Sequence, residues 1–317
     1  MQAPISFLIS VLFFACSGQL KNESNIDQAA ADTGYIWTKL TDSAAFHKSY
    51  NFQMFNIRDT LWVIQHDGGW YSVNGKDWER SNLPNIIKNN AFLDYVWFRD
   101  ALYGLGSLEG NIEHYTMTSA IHRTSDMKNW DLLAENSNLP RRFFYHPFVF
   151  EDKIWIIGGG TENEQFSDIW NSADGVHWTR QAVQLPFGKR QGSQFVFFNN
   201  KIFLLNNDAW SSTDAIHWIK EADHFVPEEV FGYSAIVFDH KIWLFGCNRN
   251  KLFGNEALVS ADGKTWISQS APWSPRGGMA SCIYKNKIYV TGGKYGGTPD
   301  KPEFIYSNDV WTMEKKQ

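Results

Sequence analysis

The sequence predicts an all-β protein assembled from six copies of a four-stranded antiparallel unit. Three observations predict this class: an apolar strand recurs, a tight turn precedes it, and a tryptophan motif recurs between the copies. The apolar strands read LWVIQ from residue 61, LYGLG from 102, IWIIGGG from 154, IFLLNN from 202, IWLFGC from 242 and IYVTGG from 288. Their starts lie 41, 52, 48, 40 and 46 residues apart. Such a period is typical of propeller blades and solenoids.

The tight turns predict the first hairpin of each unit. A second apolar run and a short polar turn precede most of the repeated strands, as in FVFEDK, FVFFNNK, IVFDHK and CIYKNK. Asp and Asn tolerate positive φ, which a two-residue hairpin turn requires. Each unit is therefore expected to open with two antiparallel strands joined by such a turn.

The tryptophan motif predicts the second hairpin of the unit. It reads SVNGKDW, TSDMKNW, SADGVHW, STDAIHW and SADGKTW, ending at Trp78, Trp130, Trp178, Trp218 and Trp266. Asp or Asn followed by Gly closes a hairpin, and the tryptophan three residues later is expected to begin the outermost strand and pack on the neighbouring sheet. One carboxylate per turn supplies too few oxygens for calcium, so no metal site is predicted.

The ends of the chain predict how the units close. A four-stranded unit of this composition leaves two apolar faces uncovered, and stacking the units around an axis buries both. Six repeated strands are followed by only five motif tryptophans, and the missing strand is found near the N-terminus, where YIWTKLTDS resembles TWISQSAP. Residues 35–41, with Trp37, are expected to complete the last blade. Residues 35–317 are thus predicted to form one six-bladed β-propeller closed by its N-terminal strand.

The order KIWIIGG, DIW and W resembles that of kelch and galactose-oxidase-central-domain proteins, over about residues 35 to 317. The resemblance implies the propeller fold and is nearly silent on chemistry. The double glycine of the motif is present at Gly158-Gly159 and Gly292-Gly293, and becomes Gly246-Cys247 and Asn206-Asn207 in two other copies. A copper oxidase of the galactose-oxidase type needs a cross-linked Cys-Tyr pair and two histidine ligands. No matching set is found, so no cofactor is expected.

The N-terminal segment predicts export. Residues 6–15, SFLISVLFFA, form an apolar run too short to span a bilayer and of suitable length for a signal-peptide core. We expect a signal peptide at residues 1–16 and a polar tether at 17–34. The segment resembles that of bacterial lipoproteins, which implies a lipid on Cys16, and plain secretion with cleavage near Ala15 is the alternative. Either route leads to the periplasm or the cell surface.

Charge and cysteine content narrow the function classes. Lysine and arginine number 29 against 34 acidic residues, a net charge of −5, and no run of like charge is present. Nucleic-acid binding is therefore not expected. Cys247 and Cys282 could pair in an oxidising compartment, but both fall in or beside predicted strands. Burial as small apolar side chains is the favoured interpretation.

The candidate site is a propeller mouth formed by the links between blades and by the loops between second and third strands. Six basic residues precede innermost strands in these links: Lys48, Arg141, Arg142, Lys189, Arg190 and Arg276. Five further candidates stand near them: His47, His146, Tyr233, Glu162 and Arg249. Together they could hold a carboxylate while aromatic rings pack on a sugar. The alternative is that the arginines make hydrogen bonds between blades, as arginines at this place in kelch repeats commonly do.

Two functions remain open at this stage. The first is a monomeric, non-enzymatic module that binds a glycan or a protein partner. The second is a sugar mutarotase of the sialic-acid type, because the family resemblance extends to exported six-bladed proteins with that activity. Glu162, Glu164 and His146 could then transfer protons, with Arg141, Arg190 or Arg276 as the clamp. Markers of standard hydrolase chemistry are absent from the sequence.

Overall fold

The computed structural model describes residues 34–50, 52–65, 68–83, 90–110, 115–181, 185–249, 252–297 and 301–316. These residues form strands, turns and loops, with no helix among them. No helix able to cross a membrane is accordingly found in these ranges. The predicted signal peptide, the predicted tether up to residue 33 and Cys16 lie outside the described residues.

The first strand, β1 (Tyr35–Thr41), is followed by two antiparallel sheets. Sheet 1 contains β2 (Gln53–Ile57), β3 (Thr60–Gln65), β4 (Gly68–Ser72) and β5 (Glu79–Arg80). Sheet 2 contains β6 (Asn90–Phe98), β7 (Ala101–Gly110), β9 (Ile121–Thr124) and β10 (Asp131–Ala134), with β8 (Tyr115–Met117) paired to β7. In both sheets spatial order follows chain order, as a meander requires.

Sheets 3 and 4 repeat the same meander. Sheet 3 contains β11 (Phe148–Phe150), β12 (Lys153–Ile157), β13 (Ile169–Ser172) and β14 (Thr179–Gln181). Sheet 4 contains β15 (Gln194–Phe198), β16 (Lys201–Leu205), β17 (Ala209–Ser212) and β18 (Ile219–Ala222). The second strand of each is apolar and buried, as the repeated sequence predicts.

Sheets 5 and 6 carry additional small sheets in the loop between their second and third strands. Sheet 5 contains β20 (Ser234–Phe238), β21 (Lys241–Phe245), β24 (Glu256–Ser260) and β25 (Ile267–Ser270). Its small sheet begins with β19 (Val230–Phe231), which precedes β20; β22 (Asn248–Arg249) pairs with β19, and β23 (Leu252–Phe253) pairs with β22. Sheet 6 contains β26 (Ala280–Tyr284), β27 (Lys287–Thr291) and β30 (Val310–Lys315), while β28 (Lys294–Tyr295) pairs with β29 (Ile305–Tyr306).

The N-terminal strand completes sheet 6. β1 runs antiparallel to β30, with Trp37 opposite Met313 and Lys39 opposite Trp311, and the sheet order is β1-β30-β27-β26. The prediction that residues 35–41 supply the outermost strand of the last unit is confirmed. The first and last described strands are therefore hydrogen-bonded to each other.

The predicted turns are confirmed as well. Both residues at the tip of every first hairpin have positive φ, for example 49° at Asn199 and 59° at Asn200. In the tryptophan motif, Ser172 Oγ accepts a 2.8 Å hydrogen bond from Gly175 N, and Asp174 Oδ1 accepts one of 2.8 Å from His177 N. These side chains replace the ladder hydrogen bonds that the turning backbone lacks, which explains why the motif recurs.

Six hydrophobic cores lie between successive sheets. One residue from each side identifies them: Ile57 with Leu102, Leu105 with Ile156, Ile157 with Leu204, Leu205 with Leu244, Phe245 with Val290, and Leu61 with Tyr289. The last of these joins sheet 6 to sheet 1. Each sheet thus buries both faces against neighbours. Cys247 and Cys282 are free thiols buried in two of these cores, which confirms the favoured interpretation.

Candidate functional site

One end of the sheets carries both the links from sheet to sheet and the loops from second to third strand; we call it the link face. Antiparallel order places these connections together, because the chain enters the first strand where it leaves the second. Neighbouring links bond directly: Gly192 N donates to Phe144 O at 2.8 Å, and Gly278 N donates to Gly232 O at 2.6 Å. The link face is therefore a connected backbone surface.

The innermost strands present a recurring polar position near this face. The position lies five residues before the first residue of the hairpin turn. Five of the six sheets carry a polar side chain there, although the rest of the strand is mainly apolar. We call this set the polar collar; its members are Gln53, Asp94, His146, Gln194 and Ser234. In sheet 6 the position is Ala280. A polar side chain recurring at one register of a strand requires partners there.

Two members of the collar are satisfied by the protein. The Gln53 side chain accepts a 2.8 Å hydrogen bond from Tyr95 N and donates one of 3.3 Å to Tyr95 O. Ser234 Oγ shares a hydrogen bond with Ser281 Oγ. The side chains of Asp94, His146 and Gln194, in three consecutive sheets, make no hydrogen bond to any residue that the structure describes. We call these three residues the channel trio.

Asp94 and His146 form the centre of the trio. His146 Nδ1 lies 3.7 Å from Asp94 Oδ1, beyond hydrogen-bonding distance, and their side chains are 34% and 12% exposed. Burial lowers the pKa of His146 to about 4 and raises the pKa of Asp94 well above its usual value. Near pH 7 the imidazole is therefore neutral, and burial shifts the neighbouring carboxyl group towards its protonated form, which places a base beside an acid.

The predicted cationic clamp has a different environment. Arg142 and Arg276 are 1% and 3% exposed. Arg142 Nη1 and Nη2 donate to the two carboxylate oxygens of Asp168 at 2.7 and 3.0 Å, and Nη1 also donates to Gly158 O. Arg276 holds Asp309 in the same bidentate manner. Both guanidinium groups thus have partners within their own sheets.

A third copy of this arrangement contains Arg190. It donates to Asp208 at 2.9 and 3.4 Å and to Phe187 O at 2.8 Å. In all three copies the aspartate also accepts a hydrogen bond from the indole of the tryptophan two residues later: Trp170, Trp210 and Trp311. These arginines therefore have structural partners, but their side-chain hydrogen bonds lie within one sheet and its link, and not between sheets as the alternative expected. A role as ligand contacts stays a prediction for these arginines.

The remaining predicted site residues divide by exposure. Tyr233 is buried and donates its hydroxyl hydrogen to Asn206 O of the preceding sheet. Arg249 lies 2.9 Å from Glu256. The Tyr115 hydroxyl hydrogen-bonds Glu162, and burial together with that carboxylate raises the tyrosine pKa to about 12. His146 is partly exposed at the collar. The other four predicted residues are exposed, and so is Glu164; the four are Lys48, Arg141, Lys189 and His47.

Sequence reasoning found His146 but missed Asp94 and Gln194. The register of Asp94 and Gln194, counted back from the hairpin turn, is a signal that the sequence contains. In the described ranges no group of three or more His, Cys, Asp or Glu residues could hold a metal ion.

Comparison with known proteins supports the fold. No protein-family model matches the chain, and no curated protein matches it significantly. Among solved structures the chain is similar to YjhT, with a TM-score of 0.66 over 86% of this chain and 96% of that one. The sequences are 13% identical, so the likeness shows a β-propeller-like all-β fold alone.

Proposed function

We propose that the six sheets form a closed six-bladed propeller of the kelch type. Two observations support closure: β1 pairs with β30, and a hydrophobic core joins sheet 6 to sheet 1 as one joins every other successive pair. The recurrent arginine, aspartate and tryptophan arrangement supports the kelch type. The export signal, the lipid at Cys16 and a monomeric state complete the proposal.

The propeller binds a carbohydrate at the link face, without covalent chemistry. The observation that carries this function is the channel trio: Asp94, His146 and Gln194 are accessible enough to meet a ligand and have no hydrogen-bonding partner in the described structure. Unpaired polar groups in a protected position reject ligands that lack matching groups, and sugar hydroxyls both donate and accept. A carbohydrate supplies such hydroxyls at high density.

A glycan array followed by calorimetry tests this function. Binding of a selected glycan should weaken at least about tenfold in Asp94→Ala and Gln194→Ala, since each loses a hydrogen bond to a protected group. His217→Gln, on the hairpin at the opposite end of the sheets, is the control and should bind normally. Equal affinity in all four proteins would reject the site. Capture of a protein with no glycan binding would favour the partner alternative.

A second function, sugar mutarotation, is favoured by the pair of Asp94 and His146. Neutral His146 would accept the proton of the anomeric hydroxyl, while the Asp94 carboxyl would give its proton to the ring oxygen. The bond between the anomeric carbon and the ring oxygen breaks, and an open-chain carbonyl compound forms, an aldehyde from an aldose or a ketone from a keto sugar such as sialic acid. After rotation about the adjacent bond, both protons return as the ring closes on the other face.

Exchange NMR on reducing sugars distinguishes the two functions. A mutarotase would speed anomer exchange, and Asp94→Asn would remove about 10²–10⁴-fold of that acceleration. Binding of a sugar without faster exchange would leave the protein a binding module. His177→Gln is the control and should exchange anomers at the wild-type rate, because His177 lies on an exposed hairpin beside Asp174.

A further inference from the structure

A lysine enclosed by aromatic rings lies on the link face where sheet 6 meets sheet 1. Lys294 Nζ is 4.1 Å from the centre of the Tyr50 ring and 4.7 Å from that of Phe304. Tyr50 in turn stacks on Tyr306, with ring centres 5.7 Å apart. We call Lys294, Tyr50, Phe304 and Tyr306 the Lys294 cluster.

The backbone fixes this lysine in place. Lys294 N donates to Gly277 O at 2.8 Å and Gly277 N donates to Lys294 O at 2.9 Å, while β28 pairs with β29. Its neighbour Tyr295 meets Phe253 of sheet 5, with ring centres 6.0 Å apart. The small sheets of sheets 5 and 6 are thus in contact beside the cluster. The ammonium group is presented by a rigid strand, not by a free loop.

The ammonium group has no anionic partner among the residues that the structure describes. Within the ranges that the structure describes, no carboxylate lies within ion-pairing distance of Lys294 Nζ and no hydrogen bond from it is made. Partial burial lowers its pKa. Aromatic faces attract a cation with about 0.5–2 kcal/mol, which only partly replaces the hydration lost on burial. The site therefore favours an added negative charge.

The surroundings indicate what carries that charge. Phe304 is 48% exposed and its neighbour Ile305 is 47% exposed, so apolar surface borders the ammonium group. Sugar rings present C–H groups that pack on such surface, next to polar substituents. The predicted arginine clamp is occupied by Asp168, Asp208 and Asp309. Lys294 combines a position held by backbone hydrogen bonds with a charge that no described residue neutralises.

We propose that the Lys294 cluster is an anion subsite, which binds a carboxylate or sulfate group carried by the carbohydrate while its ring packs on Tyr50 and Phe304. This inference rests on the proposed carbohydrate function. It assigns the selection of charged over neutral glycans to Lys294. The channel trio recognises hydroxyls in either case.

Paired ligands test the subsite. Affinities for a uronic-acid oligosaccharide, a sulfated one and their neutral parent should be compared in wild type, Lys294→Met and Lys220→Met. Methionine keeps the packing against the rings and removes the charge. Lys220 is the control, because its Nζ also lies over an aromatic ring, 5.2 Å from the centre of Trp210, but on the outermost strand β18 of sheet 4. Lys294→Met should lose about tenfold for a charged ligand and nothing for the neutral one. An equal loss for all three ligands, or no loss, would overturn the inference; the preferred charged ligand distinguishes carboxylate from sulfate.

A second measurement separates this inference from the proposed function. The Lys294 side chain can be followed by carbon-13 NMR while sodium acetate or sodium sulfate is added to wild type at constant ionic strength. A bound anion stabilises the charged form, so the Lys294 pKa should rise with one of these salts and not with chloride. A rise in a protein that binds no glycan would reject carbohydrate binding and keep the anion subsite. No rise would overturn the subsite even if neutral glycans bind.

Discussion

The phenol of Tyr35 donates a 2.7 Å hydrogen bond to Oδ2 of Asp239, 204 residues later in the chain. Tyr35 begins β1, and Asp239 stands in the hairpin turn of sheet 5. Lys315, at the end of β30, donates to Oδ1 of the same aspartate at 3.0 Å. The N-terminal strand is thus attached to sheet 5 as well as to its own sheet 6. Removing β1 should therefore disturb the hydrophobic cores on both sides of sheet 6.

Trp37→Ala should destabilise the protein by about 2 kcal/mol, roughly half the cost of deleting a fully buried aromatic side chain, because Trp37 is half-buried. Its ring meets Trp273 edge-on with centres 4.8 Å apart and lies against Phe245 of sheet 5. Urea unfolding followed by tryptophan fluorescence measures the loss. Ile36→Ala, on the exposed side of the same strand, is the control. Equal midpoints for both variants would contradict a packed β1.

Gly175→Ala should cost about 1–3 kcal/mol, because alanine disfavours the φ of 80° at this turn. An added Cβ would also stand 2.5 Å from the Tyr103 ring of the preceding sheet. Gly188→Ala separates the two effects, since Gly188 has a φ of 69° with open space around it. Thermal unfolding should show the larger decrease for Gly175→Ala. Equal decreases would mean that the tyrosine moves aside without cost.

Arg142→Met should destabilise the protein by about 3–5 kcal/mol, since it leaves the Asp168 carboxylate buried without its partner. Burial alone would raise the pKa of Asp168, but the hydrogen bonds and charge of Arg142 outweigh it and hold the pKa below its usual value. The pair therefore stabilises the protein above the unfolded-state pKa of about 4, and this contribution is lost as pH falls through the folded-state pKa. Arg123→Met, in an exposed pair of 3.4 Å, is the control.

Denaturation between pH 7 and pH 2 provides the measurement. Wild type should lose stability steeply at the acidic end, and Arg142→Met should start lower and lose less. Parallel curves for wild type and Arg142→Met would show that Asp168 titrates without the arginine. Arg123→Met should follow wild type closely, because exposed ion pairs contribute little.

Asp94→Asn should stabilise the protein at pH 7. Burial raises the pKa of Asp94. The protonated carboxyl group therefore makes its full contribution to stability below the unfolded-state pKa, and this contribution is lost as the pH rises through the folded-state pKa. The neutral amide avoids the penalty of ionisation. The melting temperature should exceed that of wild type at pH 7 and equal it near pH 3, with exposed Asp131→Asn as the control. A melting temperature at pH 7 at or below that of wild type would contradict the raised pKa.

The sequence was sufficient for the repeat, the turns and the pairing of the two ends. Each rests on local chemistry: apolar runs, residues that tolerate positive φ, and a tryptophan at a constant distance from a turn. Even the outermost strand of sheet 6 could be located near the N-terminus, because YIWTKLT resembles the outermost strands of the other units in composition. Periodicity is visible in one dimension, so these features required no coordinates.

The site was predicted less completely, since it depends on which polar groups lack partners. The sequence does not distinguish Arg142 and Arg276 from basic residues that lack a partner. Only the structure shows that aspartates 26 and 33 residues later neutralise them. Lys294 gave the opposite result. Nothing near it in sequence indicates that Tyr50, in the link between β1 and β2, would contact its ammonium group.

The pairing of β1 with β30 also constrains the order of folding. Of the described strands β1 is the first to be synthesised and its partner β30 is the last, so the edge of β1 waits unpaired until the strands between them have been made. Sheet 6 can therefore assemble only after the other five, and long-range pairing of this kind is slow and prone to association with other chains.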